Sequence, residues 1–137
     1  MFTLKSTKIF SLLSAAMILI SSSAFAMPFD DKTSEKARQA VSNASPDDWH
    51  TLAKSAEICF RKKVNLKEAN DWLEQSIAIS PNSYNLTLKG DYYMMNKLPE
   101  KALDYYIQAL NAAKAVDNHA DLSDIQKKIA DITNIGG

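Results

Sequence analysis

Two stretches of this chain repeat one pattern at a step of 33 residues without a gap. Ala69 matches Ala102, Asp71 matches Asp104 and Gln75 matches Gln108, while Trp72 falls on Tyr105, Leu73 on Tyr106 and Ile77 on Leu110. The same step lays Ala53 on Leu86 and Phe60 on Tyr93. Self-similarity at a period of about 20–50 residues marks a stack of like units, each too small to bury its own apolar face. The chain is therefore expected to fold by packing neighbour on neighbour.

Each unit reads as a pair of helices. Trp49, Leu52, Ala53, Ala56, Cys59 and Phe60 recur at three- and four-residue steps, the period of one helix face. Ahead of them, Ser45-Pro46-Asp47-Asp48 reads as a start, with serine as N-cap and proline in the first turn. After Lys63, Asn65 can cap a helix carrying Leu66, Ala69, Trp72, Leu73, Ser76, Ile77 and Ile79 to the turn at Ser80-Pro81-Asn82. Further helices are expected over 83–96, from Pro99 to about Val116, and over 120–134 with Leu122, Ile125, Ile129 and Ile132 on one stripe. A short helix capped by Thr33 or Ser34 should run to Asn43. No segment alternates at period two, so the class is all-α.

Gly90, Tyr93, Ala102, Tyr106 and Ala109 stand at spacings that resemble the tetratricopeptide repeat. Residues 50–82 follow it less fully, through Phe60, Ala69, Leu73 and Pro81. The departures are Glu57 at the family's glycine position, Lys114 at its closing proline, and Ala53 and Lys89 where the family has large anchors. The resemblance covers about two thirds of 33–135 and implies a helical-hairpin α-solenoid of two units, 50–82 and 83–116. The 33–43 helix and a C-terminal capping helix over 120–134 would close its ends. In such an array the first helices line a concave groove. Carried over by position, that groove would present Thr51, Lys54, Ile58 and Arg61 from the first unit, and Tyr84, Leu88, Asp91 and Met95 from the second. Some family members grip a carboxylate with a lysine and asparagine cluster; Lys54 fits one such position, but Ile58, Thr87 and Asp91 do not.

The first 26 residues read as something other than fold. Lys5 and Lys8 precede an uncharged run from Ile9 to Ile20, and Ala24-Phe25-Ala26 follows, the order of a secretory signal with a small-x-small cleavage site. The apolar run is shorter than the ~20 residues of a spanning helix. Residues 27–32 read as a loose start, and residues 33–135 as one domain, periplasmic or secreted and not embedded in a membrane after cleavage. The signal would take two of the 16 basic residues, leaving 14 against 16 acidic ones. That near-neutral balance gives no broad footprint for nucleic acid. The basic run Arg61-Lys62-Lys63 reads as a solvated helix end, where cations complement the dipole.

Little catalytic chemistry is expected. Cys59 is the only cysteine, so it forms no disulfide within the chain and reads as a small buried hydrophobe; a thiol-based hydrolase or redox site is the weakest reading. His50 and His119 show no metal spacing, and the three glycines, Gly90, Gly136 and Gly137, make no phosphate loop. Asn43-Ala44-Ser45 and Asn85-Leu86-Thr87 match the N-glycosylation pattern. No cofactor, metal or catalytic residue is expected. Tyr84, Leu88 and Met95 form a second apolar stripe beside Leu86 and Tyr93, so that helix is either buried on two sides or exposes one face to a partner. The function expected is a protein- or peptide-binding adaptor of an envelope or secretion assembly. The alternative is a structural subunit that self-associates through its ends, a homo-oligomer.

Overall fold

A computed structural model describes residues 31–135, which form six helices and no strand. α1 spans Lys32–Asn43, α2 Trp49–Lys62, α3 Leu66–Ile79, α4 Ser83–Met95, α5 Pro99–Val116 and α6 Ser123–Ile135. The expected export signal, and residues 27–30 of the expected loose start, lie outside the described residues.

Helix bodies fall where the apolar periodicity puts them, but several starts differ. Asp31, not Thr33 or Ser34, caps α1 by accepting from the Thr33 amide. Ser45 closes a turn onto Asp48 (3.0 Å) rather than capping, with Pro46 at the turn position that its fixed φ favours. Asp48 then caps α2, because Thr51 donates to it twice, from the backbone at 2.9 Å and from Oγ1 at 2.6 Å. Asn65 flanks α3 in the left-handed region, and its amide donates to Glu68 (2.7 Å) instead of capping. Asn82 and Asn85 form a capping box at α4, and Pro99 occupies the first turn of α5, where its missing N–H costs nothing. α6 begins at Ser123 rather than 120, behind Asp121, which accepts from the Ser123 amide at 3.0 Å.

Short connections fold α2 onto α3 and α4 onto α5 as antiparallel hairpins. Ser76 Oγ near the end of α3 donates to the Trp49 carbonyl at the start of α2 (2.7 Å). In the other hairpin the Tyr93 and Tyr105 rings stack at 5.4 Å. Lys63 and Lys97 turn the two corners at φ 57 and 58. α1 packs on α2, α3 on α4 with α2 touching α4 as well, and α6 on α5, so α1 and α6 lie at opposite ends.

Two apolar clusters result, and α4 enters both. Leu88 joins Leu52, Ala56, Phe60, Trp72 and Leu73; Leu86 joins Tyr106, Ala109, Ile125 and Ile132. Of the two expectations for the α4 stripes, burial on two sides is what Leu86 and Leu88 show. Each buried leucine is worth ~2 kcal/mol, and those two side chains anchor the helix. Between them Lys89 is only 2% exposed. Its Nζ donates to Asn70 (2.6 Å) and Glu74 (2.8 Å) on α3 and lies 5.1 and 5.3 Å from the Tyr92 and Tyr93 ring centroids. Desolvation offsets most of the attraction in such a pair, so its effect is to fix how α4 sits on α3 rather than to add much stability.

The closest approach inside the second hairpin is at Gly90. A Cβ there would stand 2.3 Å from Tyr106 Cε1, and Tyr106 is pinned by a 2.7 Å bond from its hydroxyl to Asp91. Gly90→Ala is therefore expected to lower the melting temperature, losing ~1–3 kcal/mol to overpacking despite alanine's better helix propensity. Combining it with Tyr106→Leu should recover part of that loss relative to Tyr106→Leu alone; strictly additive losses would mean that the ring is not the obstacle.

The Lys89 bond holds the Glu74 carboxyl below its ordinary 4.5. A depressed carboxylate stabilises the fold above its unfolded pKa and loses that contribution as pH falls through its folded value. Urea midpoints measured from about pH 7 to 3 should show Glu74→Gln less stable than the parent at neutral pH, with the gap closing below 4.5.

Candidate functional site

Four of the eight residues expected to line a groove meet around one cleft, and the other four lie outside its lining. Arg61 of α2 and Leu88, Asp91 and Met95 of α4 come together with Glu57 and Phe60 around a cleft of about 250 Å³. Ile58 lines a different cleft, between α1 and α2. Thr51 is occupied by the Asp48 cap. Lys54 pairs with Glu57 at 2.7 Å, a neighbour on its own helix.

Tyr84 is half-buried and committed to the fold. Its hydroxyl donates to Glu57 (2.8 Å), and its ring lies 6.0 Å from His50 while packing against the first apolar cluster. Burial, then the bond to the Glu57 carboxylate, pushes its phenol far above the ordinary range. Glu57 is held low by Lys54 first and by Tyr84 beside it. The pair thus ties α2 to α4 at the cleft's edge.

Within the cleft the polar groups are unequally engaged. Asp91 Oδ1 accepts from Tyr106 (2.7 Å) and from Lys128 of α6 (2.8 Å), so its charge is already met from the far side. Arg61 is exposed and has no hydrogen-bond or ion-pair partner among the described residues. Phe60 and Leu88 form the apolar wall, and Met95, 39% exposed, stands at the rim. The arrangement suits an apolar side chain with a carboxylate next to it: the wall takes the first and the Arg61 guanidinium the second. No family model, curated protein or solved structure matches this chain. Its likeness to the tetratricopeptide family rests on the residue spacings alone.

Other sites raised by the sequence are placed plainly. Among the described residues no three His, Cys, Asp or Glu side chains gather as a metal site, and no helix is long and apolar enough to cross a membrane. His50 and His119 are both exposed. Asn85, in the second glycosylation pattern, is fully buried, donating its amide to Ser76 Oγ (3.1 Å) and the Ser80 carbonyl (2.9 Å). A glycan there would require unfolding the α3–α4 turn. Lys89 stands where the tetratricopeptide family has a large anchor, and that position was the available signal for its burial; its partners Asn70 and Glu74 are an i,i+4 pair of acceptors on α3.

Cys59 is free and fully buried. Burial, aided by the distant Asp31 and Glu68 carboxylates, raises its thiol pKa, which suppresses the reactive thiolate. Thiol reagents should leave the native protein unlabelled at pH 7 and modify it stoichiometrically in denaturant. Rapid labelling of the folded form would reopen the thiol reading.

Proposed function

We propose that this chain is an exported, tetratricopeptide-like interaction module of a cell-envelope or secretion assembly, which holds a segment of another protein in the cleft between α2 and α4. The repeat reading draws support from burial at the 33-residue step. Ala69 and Ala102, Leu73 and Tyr106, and Ser76 and Ala109 are all buried, and both hairpins turn on a left-handed lysine. The corners themselves are 34 apart, because Lys63 follows α2 directly whereas Asn96 stands between the end of α4 and Lys97. The repeat is thus closest in the second helices, which carry the small packing residues.

One observation carries the binding reading: Arg61, with no hydrogen-bond or close ion-pair partner among the described residues, lines one cleft with Phe60 and Leu88, with Met95 exposed at its edge. Its charge is felt at Glu57 and Tyr84, but a guanidinium with no bonded partner beside apolar surface recognises a ligand better than it stabilises a fold. The ligand it fits is an extended or helical segment with one large apolar residue flanked by Asp or Glu. Glu57 and Tyr84 keep the cleft's shape and are not its anchors.

A photo-crosslinking residue placed at 95 should trap a discrete partner in envelope extracts, whereas one at the exposed Lys67 of α3 should not. Arg61→Glu with Met95→Asp should reduce that partner's affinity by ~10-fold or more at an unchanged melting temperature. Equal trapping at both positions, or undiminished affinity in the double variant, would sink the assignment.

A further inference from the structure

The basic run at the end of α2 does not end in solvent alone. Lys62 lines the second cleft, about 270 Å³ between α1 and α2, together with Lys32 and Lys36. Its apolar lining comes from Ala37, Ala40 and Ile58. None of these three lysines has a hydrogen-bond or ion-pair partner among the described residues. Like charges gathered around apolar surface repel one another and favour an occupant that brings carboxylates with an apolar side chain.

The opposite end of the molecule carries such a feature. Val116, which ends α5, is 89% exposed, more than any other large apolar residue described. The chain then bends, with the Ala120 amide on the Asp117 carbonyl at 3.1 Å. Asp117 follows Val116 directly and Asp121 lies just beyond that bend, with Asp124 in the first turn of α6, all three exposed. An exposed apolar side chain on an acidic connection, the knob, thus stands at the α5–α6 end, and an apolar cleft with three lysines in its lining stands at the α1–α2 end. Because α1 and α6 lie at opposite ends of the packing order, the knob cannot reach the cleft of its own chain.

We infer that the occupant of the α1–α2 cleft is a second copy of this chain, docked head to tail through its Val116 knob. The two surfaces are different, so the contact is heterologous and propagates: every docked copy presents a fresh cleft and a fresh knob. The contact is small, which places it among weak, concentration-dependent interfaces. Lysines meeting aspartates at an exposed rim make it salt-sensitive, because the Debye length shrinks to about 3 Å at 1 M salt. The inference does not depend on the α2–α4 cleft, which faces neither end.

Sedimentation of the purified protein from about 10 µM to about 1 mM tests it. The weight-average mass should rise through dimer and beyond at low salt, and fall back towards monomer in about 1 M salt. Lys36→Glu with Lys62→Glu blocks the cleft, and Val116→Asp blocks the knob; each variant alone should stay monomeric with unchanged helicity and melting temperature. Mixed in equal amounts they should form a dimer and nothing larger, because one copy retains its knob and the other its cleft. A monomer at every concentration overturns the inference. So does an assembly that neither variant weakens, or a mixture that stays monomeric.

Discussion

The structure depends on α4 having no free side in its middle turns. Leu88 faces the cluster built by α1, α2 and α3, Leu86 faces the one built with α5 and α6, and Lys89 lies between them. A helix shared by two cores cannot rotate to improve one without exposing the other. Gly90 completes the restriction, since only a residue without a Cβ lets Tyr106 lie against the helix backbone. Asn85 adds a fixed start, because its amide bonds to Ser76 and Ser80 set how the α3–α4 turn enters. The buried ammonium is then held by orientation-dependent partners rather than by bulk attraction, which is how a charge can sit in an interior without destabilising it.

Binding surfaces in this molecule are what those constraints leave over. Tyr84 and Glu57 join α2 to α4 and so shape the cleft without being available to a ligand. Asp91 is held from behind by α5 and α6. Arg61 and Met95 remain, one charged and one apolar, on adjacent helices of different hairpins. Recognition there would read how the two hairpins are placed relative to each other as much as it reads the side chains.

Helix bodies were legible in the sequence because apolar spacing reports burial directly. The helix from Pro99 to about Val116 is bounded on both sides, by the proline and by the end of the stripe, and α5 keeps those bounds. Starts were less legible where several caps competed. Ser-Pro-Asp-Asp offers serine and two aspartates, and Thr51, three residues beyond Asp48, decided among them by supplying two donors. The groove was half legible. Positions carried over from a resemblance put Ile58 on a concave face, but α1 packs across that side of α2 and turns Ile58 into its own cleft. Nothing in a residue list shows which neighbour covers which face. Lys89 is a related case: its anchor position points inward, but nothing in a residue list shows that Asn70 and Glu74 meet it from another helix.

The two clusters share α4, and Ile77 of α3 also packs against both. Cooperativity between the front and rear of the molecule must therefore run through a single thirteen-residue rod and the isoleucine beside it. Loosening the rear, at α5 or α6, is felt at α1 mainly as a change in how firmly that rod is seated. Whatever grips its last turn, beside Met95, acts on the main joint through which both halves of the protein sense each other.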